Sequence, residues 1–387
     1  MKMTASRRLY LPFLALAIVS PICANAHGSS AQSAKNVENW TSRDDDRWSW
    51  KWSENGRSLE MTIRGKVEFN DDYTEILSIS PGGSFYVKDG RGSAARTLQI
   101  VPSGSGLVTT YTVQGQTRQF DADARAWFAS LLSEAVRQSG LDAKPRAQRI
   151  LRQRGLDALL DEVSSLRSDY VKRIYLQEAI ANGNLDSSAV RRVLDLAARN
   201  LSSDYEKAQT LTKVAESLLA DEQSRAAYLE AVRTIKSDYE RRRAISALLK
   251  QDDLSRDNLL VVLKSAADIS SDYEKATLLM KVAERNLDDD ELRATYLDTV
   301  ATIRSDYERA RVLTAILKKE NLRKDTLMLA LKSAAGINSD YEKARVLIRV
   351  AEASSGDEAV RAALIDTART IRSDYERGRV LNAVFKR

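Results

Sequence analysis

The tetrapeptide Ser-Asp-Tyr-Glu recurs with its tyrosine at Tyr205, Tyr239, Tyr273, Tyr307, Tyr341 and Tyr375, a strict spacing of 34 residues, and Tyr170 precedes the set by 35 with Val171 in place of the glutamate. A fixed period of this size belongs to chains in which each unit is too small to bury its own apolar face and must stack on its neighbours. Thirty-four residues accommodate two helices of about fourteen residues each and two turns. In Ser203-Asp204-Tyr205-Glu206 the serine is placed to cap the amide of the glutamate, and the glutamate to reach back to the serine amide, which is a capping box. Asp204 in the first turn suits the helix dipole. Tyr205, Ala208, Leu211, Val214, Ala215 and Leu218 then follow at helical spacing, and Tyr228, Leu229, Val232 and Ile235 mark a second helix. The expected fold is mainly α: a right-handed α-solenoid of tetratricopeptide- or HEAT-like helix pairs over 168–387, six pairs and a terminal helix, preceded by a small antiparallel β domain.

The units alternate, so the full period is 68 residues. One type reads Glu206-Lys207-Ala208 with Val214-Ala215-Glu216, and returns at Glu274-Lys275-Ala276 and Glu342-Lys343-Ala344. The other reads Glu240-Arg241 with Leu249-Lys250, and returns at Glu308-Arg309 and Glu376-Arg377, the last with Phe385-Lys386. The unit opening at Ser168 resembles the second type. Two readings stand: successive units present different residues on one surface, or a two-unit ancestor was duplicated without functional consequence.

Upstream, residues 40–120 switch to short alternating runs divided by turn residues. Trp48, Trp50 and Trp52 alternate with Ser49, Lys51 and Ser53, Asn55-Gly56 offers a hairpin turn, and Leu59, Met61 and Ile63 alternate on the return. Further runs at Lys66-Phe69, Ile76-Ile79, Ser84-Lys88, Thr97-Val101 and Leu107-Val113 predict one antiparallel sheet of about six to eight strands. Helical spacing resumes after Asp121 with Ala124, Trp127, Phe128, Leu131, Leu132 and Val136, stops at Gly140, and continues as a helical connector over 121–167.

The N-terminus reads as a cleaved secretory signal over 1–26. Lys2, Arg7 and Arg8 precede the apolar run Leu9 to Ile22, and Ala24-Asn25-Ala26 provides the small-x-small cleavage site. Residues 27–39 are a polar leader. Cys23 suggests lipidation, but Ile22 stands where a lipid-modification box needs a small residue. Cleavage removes the one cysteine and leaves His27 as the one histidine, so Ser-His-Asp triads, HExxH zinc sites and Cys/His metal clusters are excluded. No cofactor is expected. The formal charge of +6 falls to +3 without Lys2, Arg7 and Arg8, and acidic and basic residues are interleaved, so nucleic acid is not an expected partner. No later apolar run is long enough to insert in a membrane.

Four motifs invite chemistry. The repeated Asp-x-Glu pairs resemble calcium ligands or catalytic acids, but they recur in every full unit, as helix caps must and a catalytic pair need not. The motif tyrosines are expected to pack between units with their hydroxyls bonded, rather than to form a ladder for a ligand. Arg241, Arg242 and Arg243, with Arg309, Arg311, Arg377 and Arg379, recur near helix starts and could line a groove for an acidic peptide or polyanion; pairing with Asp238, Glu240 and their equivalents is the favoured account. Trp48, Trp50 and Trp52 could stack on sugars, although the expectation is that they fill the sheet core.

The Ser-Asp-Tyr-Glu units with Arg-x-Leu and Ala-Leu-Leu-Lys segments, preceded by Gly65-Lys66-Val67-Glu68-Phe69 and Ile79-Ser80-Pro81-Gly82-Gly83, resemble a bacterial extracytoplasmic repeat region. That region accompanies some membrane-embedded metallopeptidases of the β-lactam-receptor type and also stand-alone secreted proteins. The resemblance covers about residues 48–387 and implies a role in envelope sensing or interaction. Without HExxH or membrane helices, no peptidase activity carries over. The tetratricopeptide signature is incomplete, lacking its tryptophan, Leu-Gly and closing proline. The expectation is a secreted, periplasmic, non-catalytic module that engages a protein or peptide of the cell envelope. The alternatives are a carboxylate-dependent enzyme acting on envelope polysaccharide and a purely structural spacer.

Overall fold

The structure is a computed structural model that describes residues 38–385, apart from positions 44, 45, 55, 105, 320, 321 and 355. The signal-peptide and lipidation readings, His27 and most of the leader lie outside the described residues, as do Asn55 of the hairpin turn and Lys386.

Nine strands open the described chain: β1 (Glu38–Arg43), β2 (Arg47–Glu54), β3 (Arg57–Arg64), β4 (Val67–Phe69), β5 (Ile76–Ile79), β6 (Ser84–Asp89), β7 (Arg96–Ser103), β8 (Gly106–Val113) and β9 (Gln116–Arg118). The first strand begins at Glu38, two residues inside the expected leader. Seven strands form one antiparallel sheet in the order β1-β2-β3-β6-β7-β8-β9. The single sheet expected from sequence is corrected in one respect, because β4 and β5 pair only with each other. Residues 65–83 leave the sheet between β3 and β6 as a separate ribbon, closed at its base by Ser80 N donating to Lys66 O (2.9 Å) and Lys66 N to Ser80 Oγ (3.0 Å). Gly83 permits that closure, since a Cβ there would stand 2.7 Å from Arg64 O.

The alternation read in β2 and β3 sets the register: Trp50 opposes Met61 and Trp52 opposes Leu59. Their side chains lie on one face with Phe85, Val87, Leu98 and Ile100, all buried. Helix α1 (Ala122–Ser139) covers that face with Phe128, Leu131, Leu132 and Val136, the Phe128 ring meeting Phe85 edge-on at 5.6 Å. Asp121 caps α1 by accepting from Ala124 N (3.0 Å), and Gly140 ends it in the left-handed region.

Helix α2 (Ala143–Ser165), broken at Gly155, belongs instead to a second apolar core that runs on to Val384. The expected connector is therefore divided, its first helix serving the sheet and its second the repeats. Thirteen helices follow among the described residues. Seven begin at the repeated motif: α3 (Asp169–Asn182), α5 (Asp204–Ala215), α7 (Asp238–Leu248), α9 (Asp272–Ala283), α11 (Asp306–Ile316), α13 (Asp340–Ala353) and α15 (Asp374–Phe385). Six alternate with them: α4 (Ser187–Asn200), α6 (Glu222–Arg233), α8 (Arg256–Ala267), α10 (Asp290–Ala301), α12 (Lys324–Ala335) and α14 (Glu358–Ala368). Each motif helix packs against the motif helix before and after it, and the alternate helices do the same among themselves. The protein is thus mainly helical with an N-terminal antiparallel sheet.

Candidate interaction surface

Each residue of the tetrapeptide has a separate task. The serine is the N-cap: Ser237 Oγ accepts from Glu240 N at 3.4 Å, and the equivalents at Ser203, Ser271, Ser305, Ser339 and Ser373 do so at 3.3–3.4 Å. Such lengths are at the weak end for hydrogen bonds. The reciprocal half of the capping box is not made, which corrects the sequence reading. The serine N–H is already committed to the aspartate of the preceding unit. Asp204 Oδ2 accepts from Lys236 N (3.0 Å) and Ser237 N (2.7 Å), and Asp272 Oδ2 from Arg304 N (3.1 Å) and Ser305 N (2.8 Å). Asp169, Asp238 and Asp306 repeat the arrangement. Asp340 accepts from Ser373 N (2.9 Å), and this bond, foremost, holds its carboxyl below the usual range. The aspartate is therefore a staple between units.

Freed from the box, the glutamate takes an arginine. Glu240 pairs with Arg243 (2.8 Å), Glu308 with Arg311 (2.8 Å), Glu342 with Arg345 (3.2 Å) and Glu376 with Arg379 (2.7 Å), each three residues on. Glu206 and Glu274 pair with Arg173 and Arg242 of the unit before. Burial pushes the Glu240 carboxyl up, and Arg243 opposes that shift. All six motif glutamates thus carry a guanidinium.

The tyrosines overturn the sequence expectation. Tyr170, Tyr205, Tyr239, Tyr273, Tyr307 and Tyr341 are 49–57% exposed and Tyr375 is 74% exposed. Their position on the helix explains why. At 100° per residue, Tyr205 sits about 120° from the centre of the face formed by Ala208, Leu211, Val214, Ala215 and Leu218. The tyrosines buried within the repeats are instead Tyr175, Tyr228 and Tyr296. Arginines of the glutamate pairs lie over the exposed rings: Arg243 over Tyr205 (5.6 Å), Arg242 over Tyr239 (5.1 Å), Arg311 over Tyr273 (5.8 Å), Arg345 over Tyr307 (5.8 Å) and Arg173 over Tyr170 (5.2 Å). Because the motif helices lie side by side, these residues form one continuous ladder of phenols and guanidinium planes.

The other arginines singled out in the sequence serve the backbone. Arg241 donates to Ile235 O, Arg309 to Ile303 O and Ala301 O, and Arg377 to Ile371 O and Asp374. From the opposite side Lys207 reaches Thr234 O, and Lys275 and Lys343 reach the hydroxyls of Thr302 and Thr370 (2.8 and 2.9 Å). Two cations thus converge on the carbonyl end of α6, α10 and α14, where the helix dipole is negative. The convergence recurs with the 68-residue period, although Lys172 and Arg241 also reach the ends of α4 and α8, at Asn200 O and Asp268 O. Arg241, Arg309 and Arg377 do not join Arg242, Arg311 and Arg379 in a common basic groove.

Trp50 (0% exposed) and Trp52 (7%) lie in the sheet core, and Trp48 packs against it half-buried, so the three form no stacking platform. Between sheet and repeats Tyr73 donates to Asp142, both with positive φ, while Arg146 bridges Glu162 (2.7 Å) and the Tyr175 hydroxyl (2.7 Å). Among the described residues no group of His, Cys, Asp and Glu is arranged to hold a metal, and no helix is long and apolar enough to cross a membrane. Arg243 belonged to the cluster read from the sequence, whereas Arg173 and Arg345 were not candidates there; their position three or four residues after an exposed tyrosine is the cue that finds them. No protein-family model, curated protein or solved structure matches this chain, and the ladder is accordingly interpreted from its own geometry.

Proposed function

We propose that residues 168–387 form a right-handed α-solenoid of the tetratricopeptide- or HEAT-like kind. On this reading it acts in a secreted, periplasmic protein as a non-catalytic module that binds a protein of the cell envelope. The observation that carries the proposal is the ladder. Tyrosine and arginine are the residues most enriched where protein interfaces concentrate their binding energy, and here they recur on one exposed line. An arginine over Tyr170, Tyr205, Tyr239, Tyr273 and Tyr307 restrains those rings before a partner arrives, which lowers the entropy lost on binding. The carboxylates of the motif are consumed in staples and ion pairs, which favours an interaction role over acid catalysis. The resemblance to extracytoplasmic repeat regions agrees with an envelope location.

The test is photo-crosslinking in envelope-bearing cells, with the crosslinking residue at Tyr273 on the ladder or at Lys264 on the alternate helices. The expected result is a discrete protein adduct from position 273 alone, lost when Tyr239 and Tyr307 are changed to alanine. Equal adducts from both positions, or none from 273, would remove the basis of the proposal.

A further inference from the structure

Resting on the reading above, we infer that the ladder recognises an uncharged segment in the polyproline II conformation. Its charge, its free hydrogen-bonding groups and its period each support this.

The charge comes first. Each arginine over a ladder tyrosine is paired with a motif glutamate, as for Arg243 with Glu240 and Arg311 with Glu308 (both 2.8 Å). The line therefore presents guanidinium planes with little net charge, which suits an uncharged chain and offers no advantage to an acidic peptide.

The free groups come second. Tyr205 Oη accepts from Gln209 Nε2 (2.8 Å), which leaves its own proton available to donate. The hydroxyls of Tyr239, Tyr273, Tyr307 and Tyr341 have no partner within the chain among the described residues. A row of phenol donors calls for a row of free acceptors. Polyproline II provides one, since it has no internal hydrogen bonds and leaves every carbonyl open.

The period comes third. The ladder tyrosines stand on helices packed side by side, α5 on α7, α7 on α9, α9 on α11 and α11 on α13, and packed helices are about 8–10 Å apart. Polyproline II has three residues per turn at about 3.1 Å each, a repeat of about 9.3 Å. Every third carbonyl then meets a phenol, and the pyrrolidine rings between them rest on arginine planes. An extended β-strand repeats its faces every two residues, about 6.7 Å, and falls out of step after one rung.

The experiment measures binding of the full chain by fluorescence anisotropy to a twelve-residue peptide of four Pro-Pro-Ala repeats, to a Gly-Ser peptide of equal length, and to a chitin oligosaccharide. Changing Tyr239, Tyr273 and Tyr307 to phenylalanine, singly and together, keeps the rings and removes the donors; circular dichroism verifies that each variant is folded. The proline peptide is expected to bind at least about tenfold more tightly than the Gly-Ser peptide. Each phenylalanine should weaken binding about fivefold, the effect of one neutral hydrogen bond. Equal binding of the two peptides, an undiminished triple variant, or tighter binding of the oligosaccharide through the same tyrosines overturns the inference. If the proline peptide fails while Tyr273 still crosslinks a protein in cells, only this inference falls; if both fail, the interaction reading falls with it.

Discussion

The aspartate staples give a comparison in which one motif residue is substituted in two settings. Asp272 accepts two backbone N–H groups of the following unit, at 3.1 and 2.8 Å. Among the described residues the Asp374 side chain, in α15, bonds only the Arg377 guanidinium, and it is 89% exposed. Asp272→Ala removes two charge-assisted bonds. A hydrogen bond to a charged group is worth about 1.5–3 kcal/mol, but these amides are partly solvated and water restores part of that, so about 1 kcal/mol each is appropriate. Loss of the carboxylate from the first turn adds about 0.5 kcal/mol. The expected cost is therefore about 2–3 kcal/mol, or about 5–10 °C in Tm for an array of this size. Asp272→Asn keeps an acceptor without its charge and should lie about midway. Asp374→Ala keeps every staple and should cost less than about 0.5 kcal/mol. Thermal and urea unfolding of the full chain, followed by circular dichroism, measures all three. Because repeat arrays can unravel in parts, hydrogen exchange at the Ser305 amide localises the effect. Equal losses from Asp272→Ala and Asp374→Ala would refute the staple as the link between units.

Tyr228 and Tyr296 are equivalent buried positions, but the Tyr228 hydroxyl donates to Ala244 O (2.8 Å) and the Tyr296 hydroxyl has no partner among the described residues. Tyr228→Phe should cost about 1 kcal/mol and Tyr296→Phe nothing or less than nothing, as read by urea midpoints. Leu279 is fully buried in the helical core, and Leu279→Ala should destabilise by about 2–5 kcal/mol in the same assay. Hydroxyls of Ser224 and Ser187 hold the Asp221 carboxyl down at about 2, and Asp289, Asp340 and Asp357 are also lowered, each first by a backbone N–H. Folded carboxyls below their unfolded values contribute stability above about pH 4 that is lost as pH falls toward 2. Tm measured across that window should fall, and Asp221→Asn should flatten the decline. Glu240, raised by burial, acts with the opposite sign, losing stability as pH rises past its unfolded value.

Periodicity made the helices legible in the sequence, since a motif spaced by 34 residues with an N-cap serine leaves little choice of local structure. The strand region was legible through alternation, with Trp50 and Trp52 opposite Met61 and Leu59. The excursion of β4 and β5 was not, because a run of alternating residues does not say which strand it pairs with. For the surface, the motif was read as a local capping device. Its aspartate in fact bonds amides about 33 residues away, a contact that no local rule contains. Tyr205 was placed on the apolar face by its spacing to Ala208, although its angle from the centre of that face already put it outside. The arginine clusters were recognised as groups, but adjacent members such as Arg241 and Arg242 diverge by one helical step, one to a carbonyl and the other to a ring.

The double anchoring of the threonine loops imposes parity on the chain. Lys207 and Arg241 meet at one loop, Lys275 and Arg309 at the next of its kind, and Lys343 and Arg377 at the third. Excising one unit is expected to seat Lys275 or Lys343 against a loop without the threonine hydroxyl that each now bonds. Removing two would rejoin matching ends. Lengthening or shortening of such a chain by recombination is therefore expected to cost less stability in steps of two units than in steps of one.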